Sequence, residues 1–288
     1  MNPDLLDSLP ELAHALIGQV LGAPSGSTPS LGDARVCPGL LLFLIGAAYL
    51  AGTVDAIVGG GGLIQLPAIL LIPGISPTTA LATNKLAGFA GTSTAALAYS
   101  RRVGADIGVA LPTALLALLA ASGGAGLASR IPKSSFTPLV IAALLAVLVV
   151  TVAKPRLFTA SRRALPLRML LARALPLGAL IGLYDGALGP GTGSFLLMAF
   201  IGIANMSALR ATALAKIVNS ATNLGALLFF GSHGAIDWTL GLVLAAANTA
   251  GGYTGARWAT RVGARLIRPV LVIAVLALIA KLARSRLL

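Results

Sequence analysis

Residues 55–62 read Asp55-Ala56-Ile57-Val58-Gly59-Gly60-Gly61-Gly62, and residues 185–193 read Asp185-Gly186-Ala187-Leu188-Gly189-Pro190-Gly191-Thr192-Gly193. Each stretch closes a long apolar run and opens a short one. Four consecutive glycines take the side chains off a turn and let the backbone unwind. Apolar sequence on both sides puts that turn inside a bilayer. Unwound backbone at such depth is tolerated only where it is buried in protein or lines a wet cavity. The two turns therefore predict an all-α integral membrane protein with broken helices.

Composition supports the membrane. The 288 residues are 57% hydrophobic and 10% charged, with a mean hydropathy of +0.93, against about 25% charge in a soluble domain. Apolar segments are placed at about 39–58, 63–73, 77–100, 107–127 and 137–153. They resume, after an Arg-rich connection over 154–173, at about 175–188, 193–203, 207–231, 237–258 and 266–283. Each half has one short segment of roughly 11 residues, which at 1.5 Å per residue reaches about 16 Å, half a bilayer.

The halves match one another. An offset of 131 puts Ser76, Lys85, Asp106, Gly124, Arg130 and Pro138 on Ser207, Lys216, Asp237, Gly255, Arg261 and Pro269. An offset of 130 puts Asp55, Gly59 and Gly61 on Asp185, Gly189 and Gly191. Matches of Asp, Lys, Arg and Pro in so apolar a chain point to two homologous repeats, the architecture of secondary transporters. The division is 1–38, an acidic extension and linker; 39–153, the first repeat; 154–173, a basic cytoplasmic connection; and 174–288, the second repeat. Eight to ten membrane segments result. Five crossings per half make the repeats inverted; re-entrant short segments leave four and make them parallel. Loop charge puts the central connection in the cytoplasm under either order and does not choose between them.

The net charge of +13 lies mainly in connections, where it sets topology and meets anionic headgroups. Few aromatics and no basic patch interleaved with them argue against nucleic acid. Cys37 is the sole cysteine, so an intrachain disulfide and a Cys-based metal site are excluded. His14 and His233 read as loop or surface residues. Residues 5–21 read as a short amphipathic helix outside the bilayer.

Three constellations carry chemistry. The first is the pair of glycine turns, Gly59, Gly60, Gly61, Gly62 and Gly189, Gly191, Thr192. Each turn opens a short helix whose N–H groups and dipole suit an anion. Pro190 suits the first turn of the second short helix. The bland alternative is that the glycines only let helices pack closely.

The second is a lysine about eight residues into a long helix of each half, Lys85 beside Asn84, and Lys216. A lysine at such depth costs roughly 2.5–3.5 kcal/mol and needs a partner or a cavity. On the same face stand Gly88 and Thr92 in one half, Asn219 and Asn223 in the other, donors for an oxyanion. The alternative is a lysine that snorkels, or that pairs with Asp55 or Asp185 for structure alone. The third is Asp55 and Asp185, which read either as proton-coupling groups or as fixed counter-ions. Asp106 and Asp237 read as helix-start residues.

No His-rich metal motif, G-x-S-x-G elbow or P-loop with its lysine is present, which argues against an enzyme and against a bound cofactor. The strings V-D-A-I-V-G-G-G-G-L-I-Q-L-P, A-T-N-K-L, G-L-Y-D-G-A-L-G-P-G-T-G-S and K-I-V-N-S-A-T-N-L-G resemble the TauE/SafE family of sulfite exporters, over about residues 40–283. That resemblance implies a multi-pass inner-membrane permease for sulfite, sulfonates or related organosulfur anions, often proton-linked. The combined expectation is a secondary carrier that binds a small anion between the short helices. In it Lys85 and Lys216 are the cationic partners, Asn84, Asn219 and Asn223 the donors, and Asp55 or Asp185 the proton-coupling group. An anion channel and a non-transporting scaffold are the alternatives. Oligomeric state is not fixed by sequence.

Overall fold

The computed structural model describes residues 38–104, 106–128 and 165–262. The expected segments 137–153 and 266–283, the 1–37 extension and most of the central connection lie outside these residues. Eight helices are described: α1 Pro38–Val58, α2 Gly61–Ile69, α3 Pro77–Val103, α4 Ile107–Ala128, α5 Leu167–Ala187, α6 Thr192–Gly202, α7 Ala208–Ser232 and α8 Trp238–Val262. The protein is all-helical as described. By length and composition α1, α4, α5 and α7 are each able to cross a membrane.

Local chemistry sets the helix ends. Ser76 caps α3 by accepting from Thr79 N at 3.0 Å, with Pro77 in the first position. Asp237 caps α8 by accepting from Leu240 N at 3.0 Å, and the Asp106 carbonyl accepts from Val109 N and Ala110 N at the start of α4. Both aspartates are helix-start residues, as the pattern predicts. Three boundaries differ from the sequence reading. The first short helix stops at Ile69 rather than 73, because Pro73 and Gly74, the latter at φ +76°, cannot continue it. The fifth starts at Leu167 rather than 175. Its apolar pattern runs through Arg168 and Arg173, and Arg173 Nη1 donates to the Ile203 carbonyl at 2.9 Å. Pro190 precedes α6 instead of lying in its first turn. Gly189 (φ +87°) and Gly191 (φ +82°) bend the chain on either side of it.

Contacts fix the direction of each helix. Cβ atoms placed on Gly251 and Gly255 of α8 would meet Tyr49 and Thr53 of α1, so those two helices run parallel. Asp237 N donates to Thr83 Oγ1, and Arg102 Nη1 to Thr260 Oγ1, so α3 runs parallel to α8. Likewise Gly178, Gly182 and Gly186 of α5 abut Thr113, Ala117 and Ala121 of α4. The α7 helix follows α4, with Gly225 against Leu118 and Phe229 against Gly126. The two trios oppose each other: Ser93 of α3 bonds Ser220 of α7 at 2.7 Å, while Gly88 lies against Asn223.

The short helices turn back. Gly61 N donates to Asp55 Oδ1, and Gln65 on α2 reaches Asn248, which packs on Gly52 of α1. The α2 helix therefore retraces α1. The Arg173–Ile203 bond shows α6 retracing α5 in the same way. The two hairpins enter from opposite ends of the bundle, and their tips meet where Gly59 abuts Gly193. A short helix that returns does not add a crossing, yet the second hairpin still enters from the far end. Neither order drawn from the sequence counted the hairpin as one unit.

Candidate functional site

The hairpin tips expose carbonyls that an unbroken helix would have used, and each must find a donor. At the end of α1, the Ala56 carbonyl accepts from Tyr99 Oη at 3.0 Å, and that of Val58 from Ser194 Oγ at 2.8 Å. Ser194 N donates to the Gly59 carbonyl at 3.0 Å. Lys216 Nζ donates to the Asp55 carbonyl and, at 2.9 Å, to Asp55 Oδ2. At the second tip the single Thr192 Oγ1 proton is shared between the Gly189 carbonyl, at 2.8 Å, and Asp185 Oδ1, at 2.5 Å. Tyr184 Oη donates to the Pro190 carbonyl at 2.6 Å.

The lysines and aspartates pair across the chain rather than within each half. Lys85 Nζ lies 2.8 Å from Asp185 Oδ1, and Lys216 Nζ 2.9 Å from Asp55 Oδ2. Both lysines are 1% exposed. Each pair ties a long helix to the opposite hairpin, and each cancels its own charge. The carboxylates differ in one respect: Asp55 uses both oxygens, whereas Asp185 Oδ2 is buried with no hydrogen-bond partner among the described residues.

Between the tips lies a cleft of about 30 Å³, room for about two waters at roughly 10–15 Å³ each. Of the residues expected to bind an anion, Gly59, Gly61, Gly62, Asn84, Gly189, Gly191, Thr192, Asn219 and Asn223 line it, as does Asp55. Gly88 and Thr92, the other helix stripe, line it too. Gly60, Lys85, Lys216 and Asp185 are not in its lining. The lysines stand behind the wall with their charges already paired. The first-turn N–H groups are also partly engaged, since Gly61 N is held by Asp55 and Ser194 N by Gly59.

Beyond Gly193, which continues the second glycine turn, two lining residues were not anticipated. Gln65 and Asn248 join across the cleft wall, Asn248 Nδ2 donating to Gln65 Oε1 at 2.5 Å. Each is a lone amide in an apolar helical run, which is the signal that would have found them. Comparing the halves hid it, because the internal offset puts Leu196 and Ala117 at the matching positions. His233 caps the end of α7 and is exposed, as read. Among the described residues no group of His, Cys, Asp or Glu is placed to hold a metal.

A second, wider cavity of about 580 Å³ opens at one end of the bundle. Val103, Asp106, Leu170, Ser207 and Arg210 line its mouth, and it reaches inward to Ala213 and Ile217, the latter beside Lys216.

Broken helices meeting inside an apolar bundle, around an amide-lined cleft, with a wider cavity at one end, fit a multi-pass membrane transporter. The chain belongs to the family described as sulfite exporter TauE/SafE, which it matches over residues 43–282. It is 39% identical to a probable membrane transporter protein, ORF9, of Sinorhizobium sp., over 84% of this chain and 92% of that one. It is 35% identical to the probable membrane transporter protein YfcA of Escherichia coli K12, over 86% and 91% of the two chains. A probable membrane transporter protein of Haemophilus influenzae is 32% identical over 81% and 91%. No solved structure matches. The family and these relatives are transporters, not enzymes, and in bacteria such a protein resides in the inner membrane.

Proposed function

We propose that the protein is a secondary-active carrier of a compact sulfur oxyanion, sulfite or a small sulfonate, coupled to protons. The observation that carries this reading is the cleft itself. Asn84, Asn219 and Asn223 offer N–H donors there, and the glycine turns bring backbone to the same place. Its small volume suits an anion of a few heavy atoms over an arylsulfonate. The family supports sulfur as the central atom.

Charge accounting supports the coupling. With both ion pairs intact the wall behind the cleft is neutral. A proton on Asp185 leaves the Lys85 ammonium uncompensated, and an incoming anion restores neutrality. Asp185 Oδ2 has no hydrogen bond to lose, so it is the oxygen that takes the proton, while Oδ1 keeps Thr192 and Lys85. Proton and anion then bind each other's site preference, which is the requirement for coupled transport. The reciprocal pairs Lys85–Asp185 and Lys216–Asp55, on hairpins of opposite entry, support two repeats related by an axis in the membrane plane. Rocking of one against the other moves the cleft from one face to the other.

Proteoliposomes test this. Sulfite, thiosulfate, small sulfonates and carboxylates are offered under a pH gradient to the purified protein and to Asp185→Asn. Saturable flux of one sulfur anion, accelerated by the gradient in the wild type and indifferent to it in Asp185→Asn, is the expected result. Unitary current steps would replace the carrier with a channel. Absence of flux for every sulfur anion would sink the substrate assignment.

A further inference from the structure

The two sides of the cleft are built differently. On the side of α2 and α8, Gln65 and Asn248 form a carboxamide pair that is 1% and 4% exposed. The equivalent positions in the other half hold Leu196 and Ala117. Placing Asn248 takes two further residues. A Cβ on Gly52 of α1 or on Gly91 of α3 would overlap Asn248. At Gly91 the overlap is with the Asn248 side-chain oxygen, at 1.8 Å; at Gly52 it is first with the Asn248 backbone carbonyl oxygen, at 2.2 Å, and then with Oδ1, at 2.9 Å.

A pair of amides kept for structure would be expected to satisfy itself, because buried donors rarely go unpaired. This pair does not. Asn248 Nδ2 is spent on Gln65 Oε1, and Gln65 Nε2 has no partner among the described residues. Gln65 lines the cleft, beside Asn84 and Gly62. The donor is therefore buried and unpartnered among the described residues, on a side chain that lines the cleft.

We propose that Gln65 is a specificity-determining residue of the anion cleft. Its Nε2 donates to an oxygen of the bound anion, and Asn248 holds its side chain in the orientation that leaves that N–H group free. The proposal rests on the anion reading above and deepens it. The pair makes the cleft one-sided: the anion carries an oxygen toward α2, and a monatomic anion seated at the same centre extends no atom to that N–H group. Oxyanions are thereby preferred over halides by a hydrogen bond rather than by charge.

The test uses Gln65→Leu and Gln65→Glu in the full chain. Sulfite flux, its inhibition by chloride, and the melting temperature of the anion-free protein are measured. Expected for Gln65→Leu is a KM for sulfite raised about tenfold, the effect of one lost hydrogen bond to a charged ligand. Chloride inhibition stays unchanged, and the anion-free melting temperature stays close to that of the wild type, because one unsatisfied donor, Gln65 Nε2, is exchanged for another, Asn248 Nδ2. Gln65→Glu keeps the shape and loses the donor, so its sulfite KM rises at least as far.

Wild-type sulfite KM and unchanged preference over chloride in both variants would overturn the role of Gln65 while leaving the carrier intact. A melting temperature that falls in step with flux would show a structural brace and would overturn it equally. A wild type that moves no anion would remove the reading on which the proposal stands, a distinct result.

Discussion

Asp55 and Lys216 are conspicuous as single charges in long apolar runs, and both were legible from sequence alone. Which aspartate each lysine meets was not. Lys85 is nearer Asp55 in sequence, yet it pairs with Asp185, because the hairpins exchange between the two halves of the bundle. The exchange makes each charge depend on a distant one. Lys216→Ala leaves the Asp55 carboxylate buried without its counter-charge and is expected to cost about 3–5 kcal/mol. Adding Asp55→Asn recovers most of that loss. Melting of the single and double variants in detergent measures the coupling, and equal melting of the two would show that the unpaired carboxylate is not the source of the loss. Gln65 and Asn248 escaped the sequence reading for the converse reason: a search for matched residues passes over the ones that break the match.

At the scale of the element, the four glycines of the first turn are not equivalent. Gly59 has φ +81°, and its Cβ would overlap Gly193 of the other hairpin. A Cβ on Gly61 would lie 2.6 Å from that of Asp55 and 2.7 Å from the Ala51 carbonyl oxygen. Gly60 has an ordinary φ of −109° and only side-chain neighbours, at 3.5 Å or more. A Cβ on Gly62 would lie 3.7 Å from Asn84 Nδ2 and 3.8 Å from the Gly189 carbonyl oxygen, both from residues that line the cleft. Alanine at 59 or 61 is expected to abolish stable folding, and alanine at 60 to leave it unchanged. Alanine at 62 should fold normally and lose flux, since its methyl group takes up cleft space. Size-exclusion profiles beside flux separate these outcomes, and a wild-type Gly59→Ala would refute the close contact. The break was readable in the sequence because glycine runs have few other uses in an apolar helix. The return of α2 along α1 was not, since hydropathy reports length and depth but no direction.

For the molecule as a whole, direction can be recovered from charge once the contacts are known. Apart from the two buried lysines, every Lys and Arg among the described residues lies near one end of the bundle. Arg101 and Arg102 close α3, Arg168 and Arg173 open α5, Arg210 opens α7, and Arg257 and Arg261 close α8. The positive-inside rule predicts that end to be cytoplasmic, and the wider cavity opens there. In a Cys37→Ser background, a membrane-impermeant maleimide is expected to label His233→Cys in intact cells. It should reach Arg102→Cys only after permeabilisation, and the reverse pattern would invert the protein. Sequence put the central connection on the same side but left the repeat order open, because both crossing counts gave the same loop charge. The crossed ion pairs also bear on how such a chain is made. Synthesis delivers Asp55 and Lys85 to the bilayer well before Asp185 and Lys216 exist. The first half therefore waits in the membrane with two charges whose counter-ions are still on the ribosome, and its insertion stays provisional until the second half arrives.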